Sequence, residues 1–187
     1  MSGQLPIPLP RNLRDATRKK INREPSPTLA MIVPWLLVML GSLSPTWPII
    51  ASAPILPPIG FLFMIAWQQL RPGLFPVWAG LPLGLFDDLF SGQPFGSAVL
   101  LWSLAMIAID LIENRFPWRG FAQDWLAAAG IIAAYLVLST GIANLSGGAT
   151  ELIVIIPQMI VAIFTFPLVG RIAGLADRVR LLPIREL

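Results

Sequence analysis

Every lysine and arginine in this chain falls in alternate gaps between six apolar runs, and no other feature restricts the fold as strongly. The runs cover roughly residues 28–48, 50–70, 74–90, 95–112, 125–143 and 152–172. Ahead of the first lie Arg11, Arg14, Arg18, Lys19, Lys20 and Arg23. Arg71 separates the second run from the third, and Arg115 and Arg119 separate the fourth from the fifth. Arg171 stands at the end of the sixth, and Arg178, Arg180 and Arg185 follow it. The links at residues 42–53, 87–96 and 144–151 contain no cation. A helix that crosses a bilayer needs roughly 20 apolar residues, and links rich in Lys and Arg stay on the cytoplasmic side. The pattern predicts an all-α integral membrane protein, a bundle of six transmembrane helices with both termini cytoplasmic.

Composition agrees. The chain is 56% hydrophobic and 12% charged, with a mean hydropathy of +0.74. A soluble domain of 187 residues could not hide that much apolar surface. There is no cysteine, hence no disulfide and no thiolate metal site. There is no histidine, which removes the commonest general base and metal ligand. No phosphate-binding loop, nucleophile–base pair or metal-ligand cluster is present. The sequence therefore predicts no enzyme and no cofactor. A net charge of +3 and a pI near 10.2 suit nucleic acid as readily as lipid. The placement of the cations points to membrane lipids and not to nucleic acid.

Three regions follow. Residues 1–27 form a basic cytoplasmic arm, too polar to be a cleaved signal peptide. It lies on the membrane surface or is a solvated tail. Residues 28–172 form the transmembrane domain, whose second run is the least regular because Pro54, Pro57 and Pro58 crowd its start. Residues 173–187 form a cytoplasmic tail: a short amphipathic helix before Pro183, or the end of the sixth span. Trp47, Trp67, Trp118 and Trp125 fall where interfacial aromatic anchors are expected.

The segment from Gly80 to Gly96 combines four glycines with two adjacent carboxylates in a very apolar part of the chain. On a helix, Gly80, Gly84 and Asp88 share one face at i, i+4 spacing. Glycines four apart admit a close neighbouring helix, and Asp88 at the end of that strip can reach a partner's backbone or side chain. Gly92, Pro94 and Gly96 then break the helix and turn the chain. The segment is expected to be the element around which the rest packs. A carboxylate near an interface can cap a neighbouring helix or serve a ligand or proton; the first use is favoured by its shallow depth.

The remaining polar residues have plainer expectations. Asp110 and Glu113 join Arg115 and Arg119 in an ion-pair cluster at the inner interface. Asp124 favours the start of the fifth helix. A proton-sharing dyad of Asp88 and Asp110 is excluded, since about 20 Å of helix rise separates them in depth. Gln158, beside Pro157, serves helix–helix hydrogen bonding or contacts a solute. Ala127, Ala128, Ala129, Gly130, Ala133 and Ala134 give the fifth helix a small-residue surface for close packing.

The stretch Gly84-Leu85-Phe86-Asp87-Asp88-Leu89-Phe90-Ser91-Gly92-Gln93-Pro94-Phe95-Gly96 resembles the hallmark of the rod shape-determining protein MreD family, roughly G-L-x-x-D-L-x-S-G-x-P-x-G. The family aspartate falls on Asp88, and Gly84, Gly92, Pro94 and Gly96 match its small and turn residues. Asp87 is a carboxylate where the family usually has an apolar residue. The resemblance implies a non-enzymatic subunit of the cell-elongation machinery in the bacterial inner membrane. It implies binding to the bitopic protein MreC, and work alongside the MreB filament, the glycosyltransferase RodA and the elongation transpeptidase of peptidoglycan synthesis. It also implies a fold similar to the substrate-binding subunits of energy-coupling-factor transporters. A second reading is a vitamin-binding subunit of such a transporter, with a pocket lined by Asp88, Gln93 and Gln158.

Overall fold

The computed structural model describes residues 27–46, 55–115 and 120–180. The basic arm, Trp47, Trp118, Arg119 and Arg185 lie outside the described residues. Those described are helical, with no strand among them. Six α-helices follow in order: α1 (Pro27–Ser42), α2 (Ile59–Leu70), α3 (Gly80–Phe90), α4 (Ser97–Arg115), α5 (Phe121–Leu145) and α6 (Ile156–Arg180). Short 3-10 turns at Ser44–Thr46, Val77–Ala79 and Leu152–Ile155 extend α1, α3 and α6. Each apolar run contributes one helix.

Among the described residues three helices are long and apolar enough to cross a membrane: Ser97–Arg115, Phe121–Leu145 and Leu152–Arg180. Their outward faces carry large apolar side chains at helical spacing, including Leu100, Leu104, Ile107 and Leu111 on α4 and Ile160, Phe164, Leu168 and Leu175 on α6. Such faces are stable against lipid and costly in water. This is an all-α membrane protein.

The helix at the centre is α2, not the glycine-rich segment that the sequence suggested. Every residue from Gly60 to Gln68 is buried. The physical reason is its composition: α2 is apolar on all sides, and such a helix is stable only when other helices surround it. Its 12 residues rise about 18 Å, well short of the roughly 30 Å hydrocarbon layer. Phe61 stacks on Tyr135 of α5, with ring centres 4.0 Å apart, and meets Trp102 of α4 at 5.7 Å. Against α1 the approach is closer still. A methyl group on Gly41 would lie 2.8 Å from the Cα of Gly60, and one on Gly60 would run into the hydroxyl of Ser42.

At one end of the bundle α6 passes residue 172 without a break and continues to Arg180. Ala173, Asp177 and Arg180 on this extension are buried. Asp177 accepts from Arg71 at 2.8 Å and pairs with Arg180 at 2.7 Å. The bond to Asp177 and the attraction between the charges hold the Arg71 guanidinium above its ordinary value. The Arg180 guanidinium lies 5.6 Å from the ring centre of Trp67. Trp67 is therefore a core residue, completely buried, and not the interfacial anchor its position suggested.

Candidate functional site

Gly80 and Gly84 lie on the face of α3 that meets α4. A methyl group on Gly84 would stand 2.7 Å from both the carbonyl oxygen of Ala98 and the Cα of Val99. One on Gly80 would stand 2.8 Å from the Cα of Ser103. Both distances are too short for carbon, so the two backbones touch at these positions only because no side chain intervenes. Leu83, Asp87 and Asp88 complete the buried side of α3, while Leu81, Leu85 and Leu89 face outward.

Asp88 finishes the contact. One carboxylate oxygen accepts from the Ala98 amide at 2.9 Å, and the other from the amides of Gly96 at 2.9 Å and Val99 at 3.3 Å. The hydroxyl of Ser97 lies 3.4 Å from the first oxygen. These amides belong to the first turn of α4 and to Gly96 just before it, and the helix offers them no acceptors. A carboxylate there also meets the positive end of the helix dipole. The charge of Asp88, 6% exposed, is thus balanced by donors that α4 must satisfy in any case.

The turn between the helices brings Asp88 to that position. Gly92 and Gly96 have φ values of +69° and +91°, a region in which a Cβ costs energy. Pro94 lies between them, and its carbonyl accepts from the Ser97 amide at 3.0 Å. Gly80, Gly84, Asp88, Gly92, Pro94 and Gly96 therefore form one interlock: a bare contact, a cap and the turn that aligns them. Asp87, next to the cap, is 7% exposed. The helix itself begins later than the apolar run, because Pro76 holds an extended ψ of 151° and a 3-10 turn precedes Gly80.

Of the other candidates, only Gln93 lies in this turn. Asp110 sits eleven residues beyond Val99 on α4, about 17 Å along the axis, and accepts from Asn114 at 3.2 Å. The amide of Gln158 donates to the carbonyl of Leu56 at 2.7 Å, fixing the approach to α2. Gln93 accepts from the Ser97 hydroxyl at 3.4 Å. Asp124 stands in the first turn of α5, where the Gln123 side chain accepts from the Gly120 amide. The small-residue surface of α5 is only partly used: Ala128 is buried, but Gly130 and Ala134 face outward and nothing lies within 4 Å of a methyl group placed on Gly130.

Two connections were not anticipated from the sequence. One is the set Arg71, Asp177 and Arg180; the signal was Asp177 and Arg180 at i, i+3 in a segment that reads as a short tail helix or the end of the sixth span. The other joins α5 to α6. Pro167 has no N–H, so the carbonyl of Ile163 lacks its helical donor, and the Trp125 indole supplies one at 3.1 Å. A proline inside a run signals that a carbonyl four residues earlier needs a partner.

Among the described residues no group of acidic residues could hold a metal ion. Comparison of the chain with protein-family models, curated protein sequences and solved structures finds no match in any of the three.

Proposed function

We propose that this chain is a membrane-embedded assembly subunit of the MreD type, acting without chemistry of its own in the cell-elongation complex of a bacterial inner membrane. Six helices cross the membrane with both termini in the cytoplasm. The short α2 is accommodated because protein surrounds it along its length, and α1 and α3 are lengthened by their 3-10 turns. The partner is the bitopic protein MreC, with MreB, RodA and the elongation transpeptidase reached through the complex.

The observation that carries this reading is the interlock. The small, turn and carboxylate residues of the MreD-like pattern, Gly84, Asp88, Gly92, Pro94 and Gly96, lie within a short stretch of chain, and each has a physical task in holding α3 against α4. The cation-free ends of the helices, beside this interlock, face outward in the six-span topology. A transporter reading would need Asp88, Gln93 and Gln158 free to meet a solute. All three hydrogen-bond within the chain, which favours the scaffold.

Depletion in the rod-shaped parent bacterium tests the proposal. Cells should widen and round as the protein is lost. Rods of unchanged width after full depletion would refute it.

A further inference from the structure

A groove between α2, α5 and α6 takes no part in the interlock. Its volume is about 400 Å³, within the range of small-ligand sites. Leu70, Phe121, Trp125 and Phe166 are among the apolar residues that line it. Gly170 leaves its floor open, since a methyl group there would meet nothing within 4 Å. The groove lies at the arginine-bearing end of the bundle, where Arg71 and Arg180 hold Asp177. Arg171 stands exposed at its rim.

Two features show that the groove is built. The Trp125 wall is fixed by its bond to the carbonyl freed by Pro167. The polar side is closed by Gln69, which donates to the backbone carbonyl of Asp124 at 3.0 Å. Asp124 itself lines the groove, with one carboxylate oxygen shielded from solvent. An apolar slot on the flank of the bundle, with an exposed guanidinium at its rim near the arginine-bearing end, matches one molecule in both its parts. An acyl chain suits the slot, and a headgroup phosphate suits the guanidinium. Basic pockets between helices on the cytoplasmic side take anionic lipids in this way.

We propose that the groove holds one anionic glycerophospholipid, its chain against Trp125 and Phe166 and its phosphate on Arg171. This is independent of the assembly role, because it uses none of the interlock residues.

Native mass spectrometry of the full chain in detergent, titrated with palmitoyl-oleoyl phosphatidylglycerol, tests it. The expected result is one tightly retained lipid, with phosphatidylcholine held at least fivefold more weakly. Gly170→Leu, which fills the floor, and Arg171→Gln should each weaken retention at least tenfold. Arg171→Lys should restore most of it, and Arg178→Gln, exposed on the same helix, should leave it unchanged. Should Gly170→Leu fail to fold in a thermal melt, the Arg171 series decides alone. Retention unaffected by Arg171→Gln, or equal for phosphatidylglycerol, phosphatidylcholine and an alkyl maltoside, would overturn the proposal.

Discussion

The two neighbouring carboxylates at Asp87 and Asp88 should respond in opposite ways to neutralisation. Asp88 accepts three backbone amides at the start of α4, those of Gly96, Ala98 and Val99, at 2.9, 2.9 and 3.3 Å. Loss of an ordinary helix cap costs about 1 kcal/mol. Each further buried amide left without an acceptor adds about 1 kcal/mol at the low end. Asp88→Ala should therefore lose about 3 kcal/mol. Asp88→Asn keeps one oxygen but turns an NH₂ donor toward another donor, for a loss of about 1–2 kcal/mol. Asp87 is buried beside this site but caps nothing among the described contacts. Asp87→Asn removes a buried charge and keeps an acceptor, so it should stay within about 0.5 kcal/mol of the parent or exceed it. Unfolding in mixed micelles with increasing dodecyl sulfate, followed by helical circular dichroism, measures all three. Hydrogen exchange at residues 96–99 should accelerate in Asp88→Ala alone. An Asp88→Ala variant within 1 kcal/mol of the parent, or an Asp87→Asn variant equally damaged, would refute the assignment of the cap.

Further outcomes follow from other contacts. Gly84→Ala should cost about 1–3 kcal/mol, because its methyl group cannot enter without moving the backbone of α4; Gly84→Leu should cost more and abolish complementation of rod shape. Trp125→Phe keeps the ring but leaves the Ile163 carbonyl without its donor, a loss of about 1 kcal/mol read by the same unfolding assay. Asp177→Ala removes the carboxylate that pairs with the buried Arg180 at 2.7 Å and should cost about 2 kcal/mol. Arg71→Gln should cost far less, since half of that side chain is in solvent.

The helices were legible because their signal is composition: long apolar runs with charged links leave few alternatives. The Gly80–Gly84–Asp88 face was legible for the same reason, as glycines at i, i+4 followed by a carboxylate have few uses on an apolar helix. What could not be read is which helix is central. The run that became α2 begins among prolines and looks weak by itself, yet its uniform apolarity is what allows full enclosure. Gly41 and Gly60 come from different helices, and nothing local shows that they meet. The α5 surface around Gly130 shows the converse: small residues permit close approach without requiring it. Asp177 was not legible as a core residue because residues 173–187 read as a tail, a short amphipathic helix or the end of the sixth span, and neither reading predicts that the helix continues buried to Arg180.

The assembly role is tested most directly by affinity capture of the tagged chain from detergent-solubilised membranes of its own bacterium. MreC should be recovered in near-stoichiometric amount with the parent protein and lost with Gly84→Leu at matched expression. Capture of the parent chain without MreC, together with tight binding of a vitamin by the purified protein, would contradict the scaffold and favour a transporter subunit.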